Sequence, residues 1–187
     1  MSLTETPVCN FGEKIKEFKL ISIEDKLISL KDIKGQNGTL IMFICNHCPY
    51  IKAIINELVD VTNKLLNFGI NSVAIMSNDT NNYPEDSFEN MKKFAKLNGF
   101  KFPYLYDETQ EIAQNYGAVC TPDFFGYNKN DELQYRGRIR EMKNLKPTLE
   151  GKNDLLNAME LIAKTSNGPK QQYPSMGCNI KWKKIIK

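Results

Sequence analysis

Residues 39–50 read Thr39-Leu40-Ile41-Met42-Phe43-Ile44-Cys45-Asn46-His47-Cys48-Pro49-Tyr50. The apolar run at 39–44 is almost unbroken, which is typical of a central strand that is covered on both faces. From Pro49 onwards apolar residues recur at helical spacing, and Gly69 follows as a helix stop. The stretch therefore predicts a strand that delivers two cysteines to the N-terminus of a helix.

Pro49 distinguishes the two cysteines. The residue before a proline avoids the right-handed helical region, whereas proline itself suits the first helical position. Cys48 is therefore predicted to be the N-cap, with Cys45 back at the end of the strand. A helix N-terminus carries a partial positive charge and unpaired N–H groups, and both favour a thiolate over a thiol. We predict that Cys48 is the nucleophile.

The composition is that of one soluble globular domain. The chain has 187 residues, of which 41% are hydrophobic and 25% are charged. Its formal net charge of +3 is spread over mixed-sign segments, so we expect neither nucleic acid nor a membrane as a partner. The start at Met1 shows no leader-like pattern, and no apolar run is long enough to span a membrane. We expect a cytoplasmic protein.

The five cysteines point to redox chemistry rather than to a disulfide framework. Zinc is the competing use of a Cys-x-x-Cys motif, but it normally needs a second pair of ligands. Cys9, Cys120 and Cys178 each stand alone, so we expect no metal. His47, the only histidine, would lower the pKa of Cys48 when protonated if the two side chains face each other.

The rest of the chain predicts a mixed α/β sheet in one domain over residues 1–187. The predicted elements are a hairpin at 18–30, strands at 70–77 and 102–106, helices from 86 or 87, from 107 and from about 153, and a second hairpin between 118 and 139. Strand–helix–strand connections imply parallel neighbours, and the later hairpin adds an antiparallel pair. We assign turn and helix-cap roles to the carboxylates Asp79, Glu85, Asp86, Asp107 and Glu108.

Residues 165–187 form a C-terminal tail that we predict to pack on this domain. A disordered terminus seldom holds the only tryptophan, so Met176, Ile180 and Trp182 are predicted to anchor the tail. Gly177 would permit a bend that presents Cys178. Two interpretations of Cys178 stay open: it packs under the tail, or it resolves an oxidised Cys48.

Four blocks of sequence resemble one protein family. They are residues 43–50, 104–110, 120–125 and 174–183. They are similar to peroxiredoxin-like, thioredoxin-family proteins of the alkyl hydroperoxide reductase/thiol-specific antioxidant (redoxin) group. The resemblance implies a thioredoxin-like α/β fold, with a mixed central sheet, helices on both faces and an N-terminal β-hairpin. It also implies a cis Thr121–Pro122 bond that packs beside the reactive sulfur.

The chain departs from both patterns within this resemblance. Cys48 stands where thioredoxin has its nucleophile, but Ile51 takes the place of the second thioredoxin cysteine. Cys45 stands where typical peroxiredoxins carry a threonine. Those proteins also hold an arginine near the reactive sulfur, and Arg138 and Arg140 substitute for it only if the fold brings them back.

The resemblance and the position of Cys48 imply an enzyme, a thiol-dependent oxidoreductase of the thiol–disulfide reductase/isomerase or antioxidant type. The thiolate would attack either a disulfide sulfur or a peroxide oxygen, and a second thiol would then release the product. No organic cofactor is implied, since a reductant protein or small thiol would supply the electrons. The alternatives are a dedicated peroxidase and a non-catalytic peptide-binding module on a thioredoxin scaffold.

The predicted site has three sets of residues. They are the catalytic residues Cys48, Cys45, Thr121 and Pro122, the candidate resolving or auxiliary residues Cys120, Cys178 and His47, and the substrate surface of Pro49 and Tyr50. Cys120 is either a third thiol that faces Cys48 or a core residue. The peptide-binding alternative would use the groove between Pro49-Tyr50 and Thr121-Pro122.

Overall fold

A seven-stranded mixed sheet forms the centre of the fold. The computed structural model describes residues 3–148 and 152–184. Along the chain the described strands are β1 (Leu3–Glu5), β2 (Lys19–Ser22), β3 (Leu27–Ser29), β4 (Gly38–Phe43), β5 (Ile70–Met76), β6 (Tyr104–Tyr106), β7 (Cys120–Thr121), β8 (Asp123–Asn128), β9 (Leu133–Tyr135), β10 (Met142–Lys143), β11 (Lys146–Pro147) and β12 (Met176–Asn179). The central sheet has the order β3-β2-β6-β5-β4-β8-β9.

Helices cover both faces of this sheet. They are α1 (Leu30–Ile33), α2 (Pro49–Leu66), α3 (Phe88–Asn98), α4 (Glu111–Tyr116) and α5 (Asp154–Thr165). The core on one face joins Leu40 and Met42 of the sheet to α2, α3 and α5. The core on the other face joins Ile41 and Phe43 to α1 and α4. This is the predicted mixed sheet with helices on both faces.

Strand β4 lies at the middle of the sheet and leads into the cysteine motif. It runs parallel to β5 and antiparallel to β8, and all six of its residues are buried. Burial on both faces explains its unbroken apolar sequence, so the predicted central strand is confirmed. The parallel β4–α2–β5 unit then directs the chain from the end of β4 straight into the first turn of α2.

Both predicted hairpins are present, as β2–β3 and β8–β9. The second strand of the later hairpin was predicted to continue to Ile139, but β9 ends at Tyr135. The strand ends there because the backbone N–H groups that follow donate to the tail instead of to β8. Arg136 donates its N–H to the Gln172 side chain at 2.9 Å, and Arg138 donates to the Tyr173 carbonyl at 2.9 Å.

The helix-cap role predicted for Asp86 is wrong. A short 3₁₀ turn at Pro84–Asp86 precedes α3, whose N-cap is Ser87. The Asp86 carboxylate cannot serve the helix because it is buried and bonded to the cysteine loop. At the other end, Gly99 ends α3 in the left-handed conformation, with a φ of 65°.

The tail packs on the domain as a strand. β12 lies between β1 and β7 in a separate three-stranded sheet and pairs antiparallel with both. Of the three predicted anchors only Ile180 is buried, whereas Met176 and Trp182 are 40% and 41% exposed. Hydrogen bonds hold the segment instead. The Lys181 backbone donates to Asn78 Oδ1 at 2.9 Å, and its carbonyl accepts from the Asp79 N–H and from Gln110 Nε2, both at 2.8 Å.

Gly177 does not form the predicted bend, because it lies within β12. A Cβ atom there would overlap the carbonyl group of Thr121, so the residue is needed for close approach rather than for a turn. The close approach lets β12 lie directly against the loop that carries the Thr121–Pro122 bond. In the part of the chain that the structure describes, no helix is both long and apolar enough to cross a membrane.

Gly177→Ala should weaken the docking of the tail. Overpacking of this kind costs about 1–3 kcal/mol, so we expect a loss of that size in the free energy of unfolding. Exchange of the Ile180 amide, which donates to the Val119 carbonyl at 3.1 Å, should speed up. Met176→Ala is the control, since that side chain is largely exposed. Native stability and amide exchange in Gly177→Ala would contradict the inferred contact.

Candidate active site

Cys48 lies at the junction that the sequence predicts. It is the N-cap of α2, with an extended backbone (φ −62°, ψ 124°), and Pro49 is the first helical residue. Cys45 lies three positions earlier, just beyond the end of β4. Pro49 fixes this arrangement locally, because it keeps the preceding residue extended and begins the helix without needing an N–H partner.

The loop between β7 and β8 brings Thr121 and Pro122 to the two cysteines. The Thr121–Pro122 bond is cis, as predicted. The Cys48 sulfur lies 3.2 Å from the Thr121 carbonyl oxygen, and the Cys45 sulfur lies 3.2 Å from Thr121 Oγ1. The structure thus brings together the four residues that were predicted to be catalytic.

A third thiol belongs to the same cluster. The Sγ atoms of Cys48 and Cys178 are 3.1 Å apart, across 130 residues of sequence. Cys48 has no exposed surface, Cys45 is 1% exposed and Cys178 is 4% exposed. All five cysteines are free thiols. The reduced cluster is therefore three sulfurs in contact, sealed from solvent.

Hydrogen bonding makes Cys48 acidic in spite of its burial. The pKa of Cys48 is lowered from 9.0 to about 5, chiefly by the hydrogen bond from the Cys45 thiol, while burial acts in the opposite direction. The Cys178 thiol and the backbone N–H groups of Ile51 and Cys178 also donate to the sulfur. The Thr121 carbonyl favours the protonated form, but these four donors outweigh one acceptor.

The pKa values of the two neighbouring thiols, Cys45 and Cys178, are raised instead of lowered. Burial, followed by the hydrogen bond to Cys48, raises the pKa of Cys45 well above 9.0. The same two causes raise the pKa of Cys178 to about 12. Because a thiol can donate only while it keeps its proton, one thiolate flanked by two thiols is the favoured state near neutral pH. Cys48 is the sulfur that carries the charge.

Asp86 is a site residue that sequence reasoning assigned to a helix cap. Its buried carboxylate accepts hydrogen bonds from the backbone N–H groups of Asn46 (2.8 Å) and His47 (3.3 Å). It also accepts from Asn78 Nδ2 at 2.7 Å and bonds His47 Nδ1 at 2.6 Å. The carboxylate therefore fixes the backbone of the loop between the two cysteines. No local pattern marks this role, because 40 residues separate Asp86 from Asn46.

His47 is committed to Asp86 rather than to the nucleophile. The hydrogen bond to Asp86 is the main cause of its raised pKa, and the charge of Cys48 is a smaller one. The imidazole ring also stacks on Tyr83, with ring centroids 5.8 Å apart. The main causes of the lowered Cys48 pKa are hydrogen bonds from cysteine and backbone donors, and His47 is not among these donors. His47 thus acts mainly as part of the support under the loop.

Cys120 is the core residue of the two interpretations given above. Its side chain is fully buried, and its thiol donates to the Pro122 carbonyl at 3.4 Å. Burial is the main cause of its raised pKa. Asp123, three residues further on in β8, accepts two hydrogen bonds from Arg136 in a buried ion pair. These contacts stabilise the base of the Thr121–Pro122 loop.

The predicted substrate surface borders an open groove. The groove has a volume of about 440 Å³, and its lining includes Tyr50, Ile54, Pro122, Tyr173 and Met176. Arg138 and Arg140 also line it. Arg138 pairs with Asp154 at 2.7 Å, and Arg140 pairs with Glu57 at 3.3 Å. Because both guanidinium groups are engaged in these ion pairs, neither acts as the arginine that typical peroxiredoxins hold near the reactive sulfur.

One group of potential metal ligands occurs among the described residues, at Cys45, His47 and Asp86. One ligand atom of each lies within 4.8 Å of the others. The Asp86 oxygens already accept four hydrogen bonds, and the raised pKa of Cys45 keeps its thiol protonated. A metal ligand has to be deprotonated, so this arrangement favours a hydrogen-bonded network over metal binding.

Comparison with known proteins identifies the family. A model of the AhpC/TSA family matches residues 11–141, which is more than half of the chain. The chain belongs to the AhpC/TSA family. The match ends before the tail, so Cys178 lies outside the part that the family model describes.

Three proteins are similar to this AhpC/TSA member. An uncharacterised conserved protein of Geobacillus kaustophilus superposes with a TM-score of 0.94 at 40% identity, over 100% of this chain and 99% of that one. The thiol-disulfide oxidoreductase ResA of Bacillus thuringiensis is 27% identical over 75% of this chain and 73% of its own length. The thioredoxin domain of a thiol-disulfide oxidoreductase from Bacteroides vulgatus shares the fold alone, with a TM-score of 0.58 at 15% identity over 69% of this chain and 89% of that one.

The family and these relatives confirm two predictions made from the sequence. The fold is thioredoxin-like, and this AhpC/TSA protein is a thiol-dependent oxidoreductase. An enzyme of this kind needs a disulfide or related oxidised substrate and a reductant partner that returns the electrons. The roles of its individual cysteines follow from the geometry around Cys48.

The acidity of Cys48 can be measured from the ultraviolet absorbance of the thiolate. We expect a transition in the folded protein with a midpoint near pH 5, thiolate above it and thiol below it. Cys45→Ala removes the leading donor and should raise the midpoint, whereas Cys45→Ser keeps a donor and should raise it less. Cys48→Ser should abolish the transition. A midpoint in Cys45→Ala equal to that of the wild type would contradict the assigned cause.

Asp86→Asn should destabilise the fold in a pH-dependent way. Loss of the charged acceptor weakens several buried hydrogen bonds, so we expect a cost of about 1–3 kcal/mol. The pKa of His47 is raised in the folded state, so its stabilising contribution is complete below the ordinary value of 6.5 and is lost as the pH rises through the raised value.

Urea unfolding on both sides of this range tests the expectation. The difference between Asp86→Asn and the wild type should be larger at the lower pH. Glu85→Gln is the matched control, because this exposed side chain raises the pKa of His47 less than Asp86 does and should give a much smaller difference. An equal cost at both pH values would show that His47 and Asp86 are not coupled in this way.

Proposed function

We propose that this protein reduces or exchanges disulfides through a Cys48 thiolate. One observation supports the proposal above the others: the Cys48 sulfur at the N-cap of α2 receives four hydrogen bonds and has a pKa of about 5. A thiol with that pKa is almost fully ionised near neutral pH. A peptide-binding module needs no such shift, so the site favours catalysis over passive binding.

The first step is attack of the Cys48 thiolate on one sulfur of the substrate disulfide. A bond forms between Cys48 and that sulfur, the substrate S–S bond breaks, and the other substrate sulfur leaves as a thiolate that takes a proton from water. A second protein thiol then attacks the Cys48 sulfur and releases the remaining half of the substrate. The product is an internal disulfide, and an external dithiol protein or small thiol reduces it.

The surroundings of the sulfur favour a disulfide over a peroxide as the substrate. A peroxide would convert the thiolate to a sulfenic acid. The resemblance to peroxiredoxins predicts an arginine beside the sulfur for that reaction. Arg138 and Arg140 instead pair with Asp154 and Glu57. We therefore propose disulfide exchange as the main activity and antioxidant protection as its consequence.

The groove beside Tyr50 and Pro122 is the proposed seat of the substrate. It adjoins the thiol cluster, since Tyr50 follows Cys48 by two residues and Pro122 follows Thr121 directly. Its apolar lining suits an extended peptide segment that carries a disulfide. We propose a cytoplasmic location, which fits a chain whose five cysteines point to redox chemistry rather than to a disulfide framework.

Cysteine variants test the assignment of the nucleophile. Cys48→Ser should abolish turnover with oxidised glutathione as the disulfide and a coupled reductant. Cys45→Ser should still release one equivalent of glutathione in a single turnover, because Cys48 remains in place. Cys9→Ser is the control, since this thiol lies apart from the cluster. The assignment fails if Cys45→Ser loses the first attack and Cys48→Ser keeps it.

A further inference from the structure

The tail closes the thiol cluster. Cys48, Cys45 and Cys178 are at most 4% exposed, so a substrate cannot reach the Cys48 sulfur in this arrangement. β12 lies over the site: Cys178 is paired with Thr121, and its sulfur touches that of Cys48. Ser175 and Met176, which precede Cys178 in the chain, line the groove. Displacement of this part of β12 is therefore the direct way to open the groove onto Cys48.

The tail is attached to the site by bonds that a moving strand can break and remake. Ser175 Oγ donates to the Pro122 carbonyl at 2.8 Å. The backbone of Ser175 exchanges hydrogen bonds with Thr6, each at 2.9 Å. Cys178 is thus held beside Cys48 by a segment that is separate from the β4–α2 junction.

Two thiols compete to resolve a mixed disulfide on Cys48. The Cys45 thiol is hydrogen-bonded to Thr121 Oγ1. The negative charge of the Asp86 carboxylate raises the pKa of Cys45 and so opposes formation of a Cys45 thiolate. Burial and Cys48 raise the pKa of Cys178 as well, but the positive charge of Lys181 acts against that rise and favours the Cys178 thiolate. The Lys181 ammonium is held nearby by the Asn179 carbonyl and side chain, at 2.7 and 2.8 Å. Electrostatics therefore favours Cys178 as the attacking thiol.

The distances also permit a bond. The two sulfurs are 3.1 Å apart, and a disulfide needs about 2.05 Å. A movement of about 1 Å by the tail would close this gap. Cys45, in contrast, belongs to the same short loop as Cys48, and that loop is fixed by Asp86.

We infer that Cys178 is the resolving thiol and that its disulfide with Cys48 locks the tail over the site. The inference rests on the proposed attack of Cys48 on a disulfide. The Cys178 thiolate, having lost its proton to water, attacks the Cys48 sulfur of the mixed disulfide. The Cys48–Cys178 bond forms as the bond to the substrate breaks, and the substrate sulfur leaves as a thiolate and takes up a proton. The two protein thiols are oxidised, and the substrate disulfide is reduced to two thiols.

The tail then has two states. In the reduced protein, only non-covalent contacts hold it, so a substrate can displace it. In the oxidised protein, a covalent bond ties it to α2 and excludes a second substrate until the reductant has acted. The C-terminal strand is thus both a cover and a reactant.

Peptide mapping after oxidation tests the pairing. Reduced full-length protein is treated with oxidised glutathione, quenched with acid, alkylated and digested with trypsin without reduction. A Cys48–Cys178 bond joins the peptides 35–52 and 171–181, whereas a Cys45–Cys48 bond leaves peptide 35–52 unlinked and two hydrogens lighter. We expect the linked pair to predominate. An internal bond in 35–52, with Cys178 alkylated, would overturn the inference.

Variants separate resolution from the first attack. Cys178→Ser should release the first glutathione normally, accumulate glutathione on Cys48 and lose at least ~10-fold in steady-state turnover. Cys45→Ser changes the leading donor to the Cys48 thiolate, so its turnover should be lower, but it should still form the linked peptides. Cys9→Ser should match the wild type. Wild-type turnover in Cys178→Ser would overturn the inference. Thermal unfolding of each variant shows whether a loss reflects misfolding, and Cys178→Ala provides a second side chain for the same test.

A chemical oxidant distinguishes failure of this inference from failure of the proposed function. Diamide oxidises neighbouring thiols without using a substrate disulfide. If glutathione is never released but diamide gives the 35–52/171–181 pair, the proposed disulfide exchange fails and the pairing of the two thiols stands. If glutathione is released and neither oxidant gives the linked pair, the function stands and Cys178 is not the resolving thiol.

Discussion

A buried thiolate depends on the protein for the hydrogen bonds that water would otherwise give it. Cys48 has no exposed surface, and burial alone would raise its pKa. The cluster reverses this effect by aiming donors at one sulfur. The helix N-terminus supplies the Ile51 N–H, the strand end supplies the Cys45 thiol, and the tail supplies two donors from Cys178. The rest of the site maintains this geometry.

The support for this geometry extends beyond the residues that touch the sulfur. Asp86 holds the backbone of the cysteine loop, and Tyr104 donates to Asn46 Oδ1 at 3.0 Å within the same loop. On the opposite side, the Arg136–Asp123 ion pair lies beneath the Thr121–Pro122 loop. The reactive sulfur is consequently positioned by β4, α2, the segment before α3, the β7–β8 loop and the tail together.

The sequence predicts those parts of the site that depend on local rules. Pro49 places Cys48 at the N-cap without reference to the rest of the chain, and the apolar run before Cys45 identifies a central strand. Asp86 was misassigned because its side chain contacts a loop 40 residues away in the sequence, whereas a capping pattern depends only on neighbouring residues. Local patterns carry no signal for such a contact.

The tail shows the same limit in another form. Its packing was predicted from apolar residues, yet Met176 and Trp182 stay exposed, and backbone pairing with β1 and β7 does the anchoring. Backbone hydrogen bonds are available to every sequence, so composition cannot reveal which strand will receive them. The contact between Cys178 and Cys48 follows from that pairing.

The position of β12 in its small sheet has a consequence for biosynthesis. β12 lies between β1 and β7, yet it is made after both of them and after every other described element. While the chain is still growing on the ribosome, β1 has no neighbour in this sheet, the edge of β7 is unpaired and the Cys48 sulfur lacks its cover. The nascent protein therefore passes through a stage in which the Cys48 thiol is uncovered and lacks the two donors of Cys178, because its own tail has not yet arrived.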